Sequence, residues 1–288
     1  MASPVNRNNA QADSPRTGEL ANAGVQQNVN THFDVNASYW DEIYRDADLQ
    51  GVIYQQRLAA VLDYVDAANP APGTSVLEIG CGAGHLTVQL AQRKLRVSAV
   101  DSSPGMAQLA AQQAADAGFA SEVSVSQADV HALPFGADQF DVVVAVGVIP
   151  WLHSPGPAVA EMARVLRPGG QLVLTADNAA RLISFTDPRG LLALTPLRGI
   201  YHRVRNRPGE AVSRLHFPGR IDGFVGRAGL TVVARRTVGF GPLSLLGRPL
   251  LSDARAVRVN LRLQRLADAG VPGLRGTGWH YLLRATKP

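Results

Sequence analysis

Three glycines at alternate positions, Gly80, Gly82 and Gly84, follow the apolar run Val76–Ile79, and Glu78 stands two residues before the first. Glycines spaced this way allow left-handed backbone and let a ligand lie against bare main chain. The helix expected behind them offers free N–H groups to a carboxylate or phosphate. A dinucleotide loop of the Gly-x-Gly-x-x-Gly kind needs glycine where this chain has His85. A loop for nucleoside triphosphates needs a Lys-Ser/Thr pair, and none follows. Carboxylates recur downstream at Asp101, Asp129 and Asp177, each at or just after an apolar run. The chemistry in view is therefore capture of a polar ligand by glycine backbone and a series of acids.

These residues need a scaffold that brings the ends of several strands together. Apolar runs at Val76–Ile79, Val97–Val100, Val123–Val125, Val142–Val146 and Leu172–Leu174 fit buried parallel strands. Helical patterns at Leu86–Gln92, Pro104–Ala117 and Ala158–Leu166 alternate with them, the second introduced by the cap Ser103 and a first-turn proline. Such alternation implies a doubly wound α/β sheet with right-handed crossovers. Upstream, residues 1–30 read as a disordered tail, and residues 33–66 as helices. Downstream, Asp187-Pro188 and Thr195-Pro196 start two short helices, Phe217–Leu230 reads as a helix and Thr231–Thr237 as a strand. Ser252–Ala269 reads as an amphipathic helix with Ala256, Val259, Leu263 and Leu266 inward and arginines 255, 258, 262 and 265 outward; Trp279–Ala285 is the last strand.

The segment from Val76 to Leu86, with Glu78 before Gly-x-Gly-x-Gly, resembles motif I of class I S-adenosylmethionine-dependent methyltransferases of the small-molecule, methyltransferase-11/25-like type. Gln127–Phe135 resembles the family's adenine-contacting segment, Phe140–Val146 its fourth strand and Glu161–Gly170 the helix and turn before its fifth. The matches cover roughly residues 33–177. They imply a Rossmann-like seven-stranded sheet of order 3-2-1-4-5-7-6, strand 7 antiparallel, with helical cap insertions. They also imply one methyltransferase domain over 31–288, with lid helices in 33–66, a cofactor core in 75–177 and caps near 178–216 and 242–276.

The resemblance assigns S-adenosyl-L-methionine to Glu78, Gly80, Cys81, Gly82 and Gly84, to Asp101, Ser102 and Met106, and to Asp129 and Val130. Val146 and, from the lid, Tyr39 complete that set, with Trp40 and Tyr44 beside Tyr39. Asp101 would take the ribose hydroxyls and Asp129 the adenine amine; packing is the competing role for each. Cys81 reads as a packing residue of the loop rather than a nucleophile. Methyl transfer is an in-line displacement from an activated sulfonium, so the protein supplies chiefly proximity and, for hydroxyl acceptors, a base. His153, after the fourth strand, and Asp177, after the fifth, are the candidate catalytic residues, with a structural role open for both. His85 and His131 read as local hydrogen-bonding groups, while His202 and His216 fall in the first cap.

A chain of 288 residues with one cysteine excludes a disulfide scaffold and a cysteine zinc cage, and no metal site is expected. No apolar leader is visible, and Val142–Ala160 is too broken by proline and glycine to span a bilayer, so a cytoplasmic location is expected. The net charge of +5 hides a split: residues 1–180 carry 9 basic and 18 acidic side chains, residues 181–288 carry 19 and 5. A basic half raises three acceptor classes: a small molecule with an apolar body and a polar or anionic group, as in secondary metabolism; RNA or DNA; or a lipid-linked acceptor at a membrane surface. The first is preferred. No Asn/Asp-Pro-Pro-aromatic element follows strand 4, which sets nucleic acid back. The cap at 178–216 leaves a strand's carboxyl end and is expected at the substrate; that at 242–276 is expected further away. Oligomeric state is left open.

Overall fold

The computed structural model describes residues 17–187, 211, 213–246 and 248–288. Nine strands alternate with helices among these residues. In chain order they are α1 (Thr17–Val35), α2 (Ala37–Glu42), α3 (Leu49–Asp66), β1 (Ser75–Ile79), α4 (His85–Gln92), β2 (Arg96–Asp101), α5 (Pro104–Asp116), β3 (Val123–Gln127) and β4 (Phe140–Ala145). A 3-10 turn (Ile149–Trp151) leads to α6 (Pro155–Val165), β5 (Leu166–Asp177), α7 (Ile183–Thr186), α8 (Pro218–Arg227) and β6 (Thr231–Val238). The chain closes with the hairpin β7 (Ser244–Leu245) and β8 (Arg248–Pro249), helix α9 (Asp253–Asp268) and β9 (His280–Thr286).

Seven strands form one sheet of order β3-β2-β1-β4-β5-β9-β6. β1 pairs in parallel with both β2 and β4, while β9 runs antiparallel between β5 and β6. The expected order holds, β9 being the antiparallel seventh strand of the sequence reading. Strands β1 and β4 are almost wholly buried because helices cover both faces, which is why they read as continuous Val/Ile/Leu runs. Leu77, Val143, Met162 and Leu283 share the core on one face; Val61, Val76, Leu90 and Val144 share the other.

Three expectations change. Residues 17–30, expected within a tail, are helical and start α1: Val29 is buried, and Gln26 and Asn30 bond to Ser102. Their Asn/Gln-rich composition hid the contact, because those amides dock on a strand end instead of facing water. Second, α9 buries Ala256, Asn260, Gln264 and Ala267, whereas Leu261 and Leu266 stay exposed. Third, the 242–276 segment lies against α3: Leu49 and Ile53 of α3 cluster with Ala256, and Leu251 and Val257 pack on them. The expected helix at Thr195-Pro196, the Pro188 start and His202 lie outside the described residues. So does most of the first cap. Among the described residues no helix is long and apolar enough to cross a membrane.

Candidate functional site

The order of the sheet reverses between β1 and β4, and a cavity of about 350 Å³ opens at their carboxyl ends, where open α/β sheets place ligands. One side is the glycine loop. Gly82 has φ +52 and nothing within 4 Å of where a Cβ would sit, so its bare backbone faces the cavity; its N–H donates to Asp101 Oδ2 at 2.9 Å. Gly84 has a different task. It starts α4 at φ +90, and a Cβ there would meet Ala110 Cα at 2.9 Å, so it sets how closely α4 approaches α5. Gly84 does not line the cavity.

Acids mark the polar points. Glu78 is 3 % exposed and accepts from Thr87 Oγ1 at 2.6 Å. Burial, with the charge of Asp101 adding to it, pushes Glu78 up to about 8 despite that bond. Burial also raises Asp101, against N–H bonds from Ser103 and Gly82. Asp129 stays below the ordinary value because His131 bonds it at 2.7 Å through Nδ1 and 2.9 Å through its backbone N–H. Burial raises the thiol of Cys81 well above its ordinary value, which suits packing and not nucleophilic attack. Ser102, Met106, Val130 and Val146 also line the cavity.

The opposite wall is aromatic. Phe33 of α1, Trp40 of α2 and Trp151 meet with ring centroids 5.1–5.4 Å apart, and Tyr44, Tyr54 and Trp279 continue the wall. Tyr39, expected with them, is 45 % exposed, and its hydroxyl accepts from Gln50. His85 lines the cavity and bonds Asp41.

The two catalytic candidates part company. His153 is outside the lining: its ring stacks on His131 at 3.9 Å and its Nδ1 meets Ser154 Oγ at 2.9 Å. Asp177, at the end of β5, lines the cavity, and His280 Nδ1 donates to it at 3.1 Å. Burial would raise Asp177, but that bond and the charges of Arg57 and Arg181 hold it below the ordinary carboxylate value. Burial takes His280 down to about 4, so its ring is neutral at pH 7 and Nδ1 carries the proton. His216 is buried beside Asn178, where a short bridge joins them.

Sequence reasoning missed Arg57, Tyr54 and the pair Trp279–His280. Arg57 is 5 % exposed, its Nη2 donates to Tyr44 Oη at 2.8 Å and its guanidinium lies 4.3 Å over the Tyr54 ring; its Nε has no partner among the described residues. One signal was available: Arg57 falls four residues from both Ile53 and Val61, on the apolar face of its helix, where a charge needs a reason. Tyr54 and Trp279 carry no comparable mark.

The chemistry of this donor set fits a cationic nucleoside: carboxyl groups at one end, an aromatic wall worth about 1 kcal/mol to a sulfonium, and open glycine backbone between. The comparisons agree. Residues 77–174 match the family model described as a methyltransferase domain. A ubiquinone biosynthesis O-methyltransferase of Azoarcus is 27 % identical over 186 residues, 64 % of this chain and 75 % of that one. A biotin biosynthesis bifunctional protein of Cellvibrio japonicus is 33 % identical over 164 residues, 57 % of this chain but 30 % of its own length. Among solved structures, magnesium protoporphyrin IX methyltransferase of Synechocystis with bound SAH superposes with TM-score 0.63 at 19 % identity, covering 91 % of this chain and 100 % of that one. The [4+2]-cyclase SpnF, at TM-score 0.60 and 17 % identity, covers 92 % of this chain and 96 % of its own.

Fold and site together define a class I methyl-transfer domain. Residues 77–174, the portion that carries the family match, form an S-adenosylmethionine-dependent methyltransferase domain of class I fold.

Proposed function

We propose that this enzyme transfers the methyl group to an oxygen of a small, largely apolar acceptor, with Asp177 as the group that meets the acceptor hydroxyl. The observation that carries this reading is the Asp177 carboxylate, held by His280 on the cavity wall across from the glycine loop. When bound, S-adenosylmethionine supplies an activated methyl group. Asp101 and the backbone of Gly80 and Gly82 hold its nucleoside end, Asp129 the base, and Ser102, Met106 and Val130 close around them. Phe33, Trp40 and Trp151 keep water from the reacting centre.

Asp177 works by geometry first. A carboxylate accepts the hydroxyl proton in a hydrogen bond and so points an oxygen lone pair into the cavity. It is a weak base, held low by His280, Arg57 and Arg181. The acceptor's oxygen becomes strongly acidic as its new bond forms, and the proton then passes to the carboxylate downhill. A base of this kind acts late and contributes on the order of 10²-fold or more. That relatives are named O-methyltransferases supports oxygen as the acceptor atom. We read the chain from α1 onward as one domain, extending the expected 31–288 by the helical residues that dock on Ser102.

The test is a labelled-methyl screen over phenols, quinols, carboxylic acids and bulk RNA. Transfer to a hydroxylated small molecule is expected. With that acceptor, Asp177→Asn should lower kcat about 10²-fold with the affinity for S-adenosylhomocysteine unchanged, while His153→Ala leaves kcat nearly intact. Equal losses, or a loss only in His153→Ala, would move the base to His153.

A further inference from the structure

A second cavity of about 270 Å³ lies beside the first, between α3 and the segment 242–256. Leu49, Ile53, Leu243, Leu251 and Ala256 give it hydrocarbon walls. Tyr54 and Trp279 line both cavities and so form the partition between them. Each of these rings is backed by a guanidinium 4.3 Å from its centroid: Arg57 over Tyr54, Arg181 over Trp279. Both arginines also act on Asp177. The polar and charged groups thus gather at the partition, on the Asp177 side.

Size separates the roles of the two spaces. Cavities of roughly 300–1,000 Å³ each suit one ligand of drug size. The first, at about 350 Å³, is near the lower bound, and the glycine loop and acids commit it to the cofactor. A methyl acceptor reaching Asp177 needs room for the rest of its body, and the neighbouring space is across Tyr54 and Trp279. Charge selects what fits. Among the described residues, the ionisable members of the second lining are Asp48 and Asp253 besides Tyr54, and no arginine lines it. The arginines of α9 at 255, 258, 262 and 265 are exposed on its outer side.

We propose that the second cavity is the acceptor subsite for an uncharged hydrocarbon tail, the reacting hydroxyl passing between Tyr54 and Trp279 to Asp177. This rests on the oxygen-acceptor reading above and adds the substrate class: a hydroxylated head on an apolar, unionised tail. Of the basic C-terminal half, Arg181 acts on Asp177, together with Arg57 of α3.

N-phenyl-1-naphthylamine, a neutral apolar fluorophore, is the probe. The full chain saturated with S-adenosylhomocysteine should bind it at one site. Ala256→Trp, which fills the space, and Leu251→Asp, which places a charge in its wall, should each weaken the probe about tenfold or more while S-adenosylhomocysteine affinity by calorimetry stays unchanged. On the wild-type chain, para-alkyl phenols should displace the probe with affinity rising roughly fourfold per added methylene. Displacement of the probe by S-adenosylhomocysteine, a flat alkyl series, or variants that bind as wild type would each overturn the subsite. No step here requires turnover. A chain that binds the probe and the alkyl series yet methylates no phenol would overturn the oxygen reading and leave the tail subsite standing.

Discussion

Glu78 is a carboxylic acid that keeps its proton near neutrality, because burial disfavours its charged form and the charge of Asp101 adds to that. A cationic ligand reverses that balance: positive charge nearby favours the carboxylate. Binding of S-adenosylmethionine at pH 7 should therefore release close to one proton. Calorimetry in buffers of different ionisation enthalpy measures it, and Glu78→Gln should abolish the release. The same shift sets a stability slope. The folded value, about 8, lies above the ordinary 4.5. The ligand-free fold is thus favoured below 4.5 and loses this contribution as pH rises through about 8, so Tm should fall over that window and not in Glu78→Gln. Asp177 makes the opposite demand. Its value is depressed, so the carboxylate persists well into acid, and kcat should hold steady from neutrality downward until pH falls below the usual carboxylate range. A base at His153, itself depressed from 6.5 by burial and by His131, would instead lose activity earlier in the acid descent, as the imidazole takes up a proton. Of these roles the acids at strand ends were legible, since each terminates or follows an apolar run. The partnership of Asp177 with His280 was not: the expected order set their strands side by side, but the register that puts His280 opposite Asp177 leaves no mark in either segment.

At the level of elements, the parallel strands and their helices were readable in number and place, the buried ones writing continuous apolar runs, but not in extent: β5 starts at Leu166, six residues before the run that marked it. Helix α9 shows the opposite case. Its inward face carries Asn260 and Gln264, which any pattern of hydrophobicity assigns to solvent. The backbone N–H groups of Gly239 and Phe240, just past the end of edge strand β6, lack strand partners; Gln264 Oε1 and Asn260 Oδ1 accept from them at 2.9 and 2.7 Å. Gln264 Nε2 returns a bond to the Thr237 carbonyl at 3.1 Å, and Asn260 Nδ2 reaches Gln56 of α3 at 2.9 Å. Such satisfaction of buried main chain is obligatory, yet its partners lie some twenty residues away in sequence and leave no local trace. Asn260→Leu keeps the size and strands the Phe240 N–H, so it should cost about 1–3 kcal/mol in urea unfolding. Val259→Ala on the half-buried flank should cost less.

Across the whole molecule, the charge split of the sequence turns into a division of labour. The acidic part holds the cofactor end, and the C-terminal part supplies β6, β9 and the far wall of the second cavity. Several of its arginines are consumed locally: Arg235 pairs with Asp222, and Arg236 with both Asp63 and Asp268. These exposed pairs tie surface elements together and contribute little each. The 242–276 segment was expected further from the substrate because the carboxyl-end rule for ligand sites favoured the first cap. Its return onto α3 depends on Leu49, Ile53 and Ala256, which are unremarkable apolar residues until they touch.

Helix α1 bridges two regions of the rim: Gln26 and Asn30 grip Ser102, Asp34 accepts from Ser103 and Gly105, and Phe33 packs on Trp151. Gln26, Val29 and Phe33 all border the first cavity, whereas none borders the second. On the acceptor reading proposed above, the two ligands would use different doors: the acceptor would come and go between α3 and the hairpin, and the spent nucleoside would leave past α1. Detachment of α1 would then time the cycle. Stopped-flow mixing should reveal a burst of one methylated product per enzyme followed by a slower steady rate, and a chain beginning at Ala37 should lose the burst as S-adenosylhomocysteine dissociates faster.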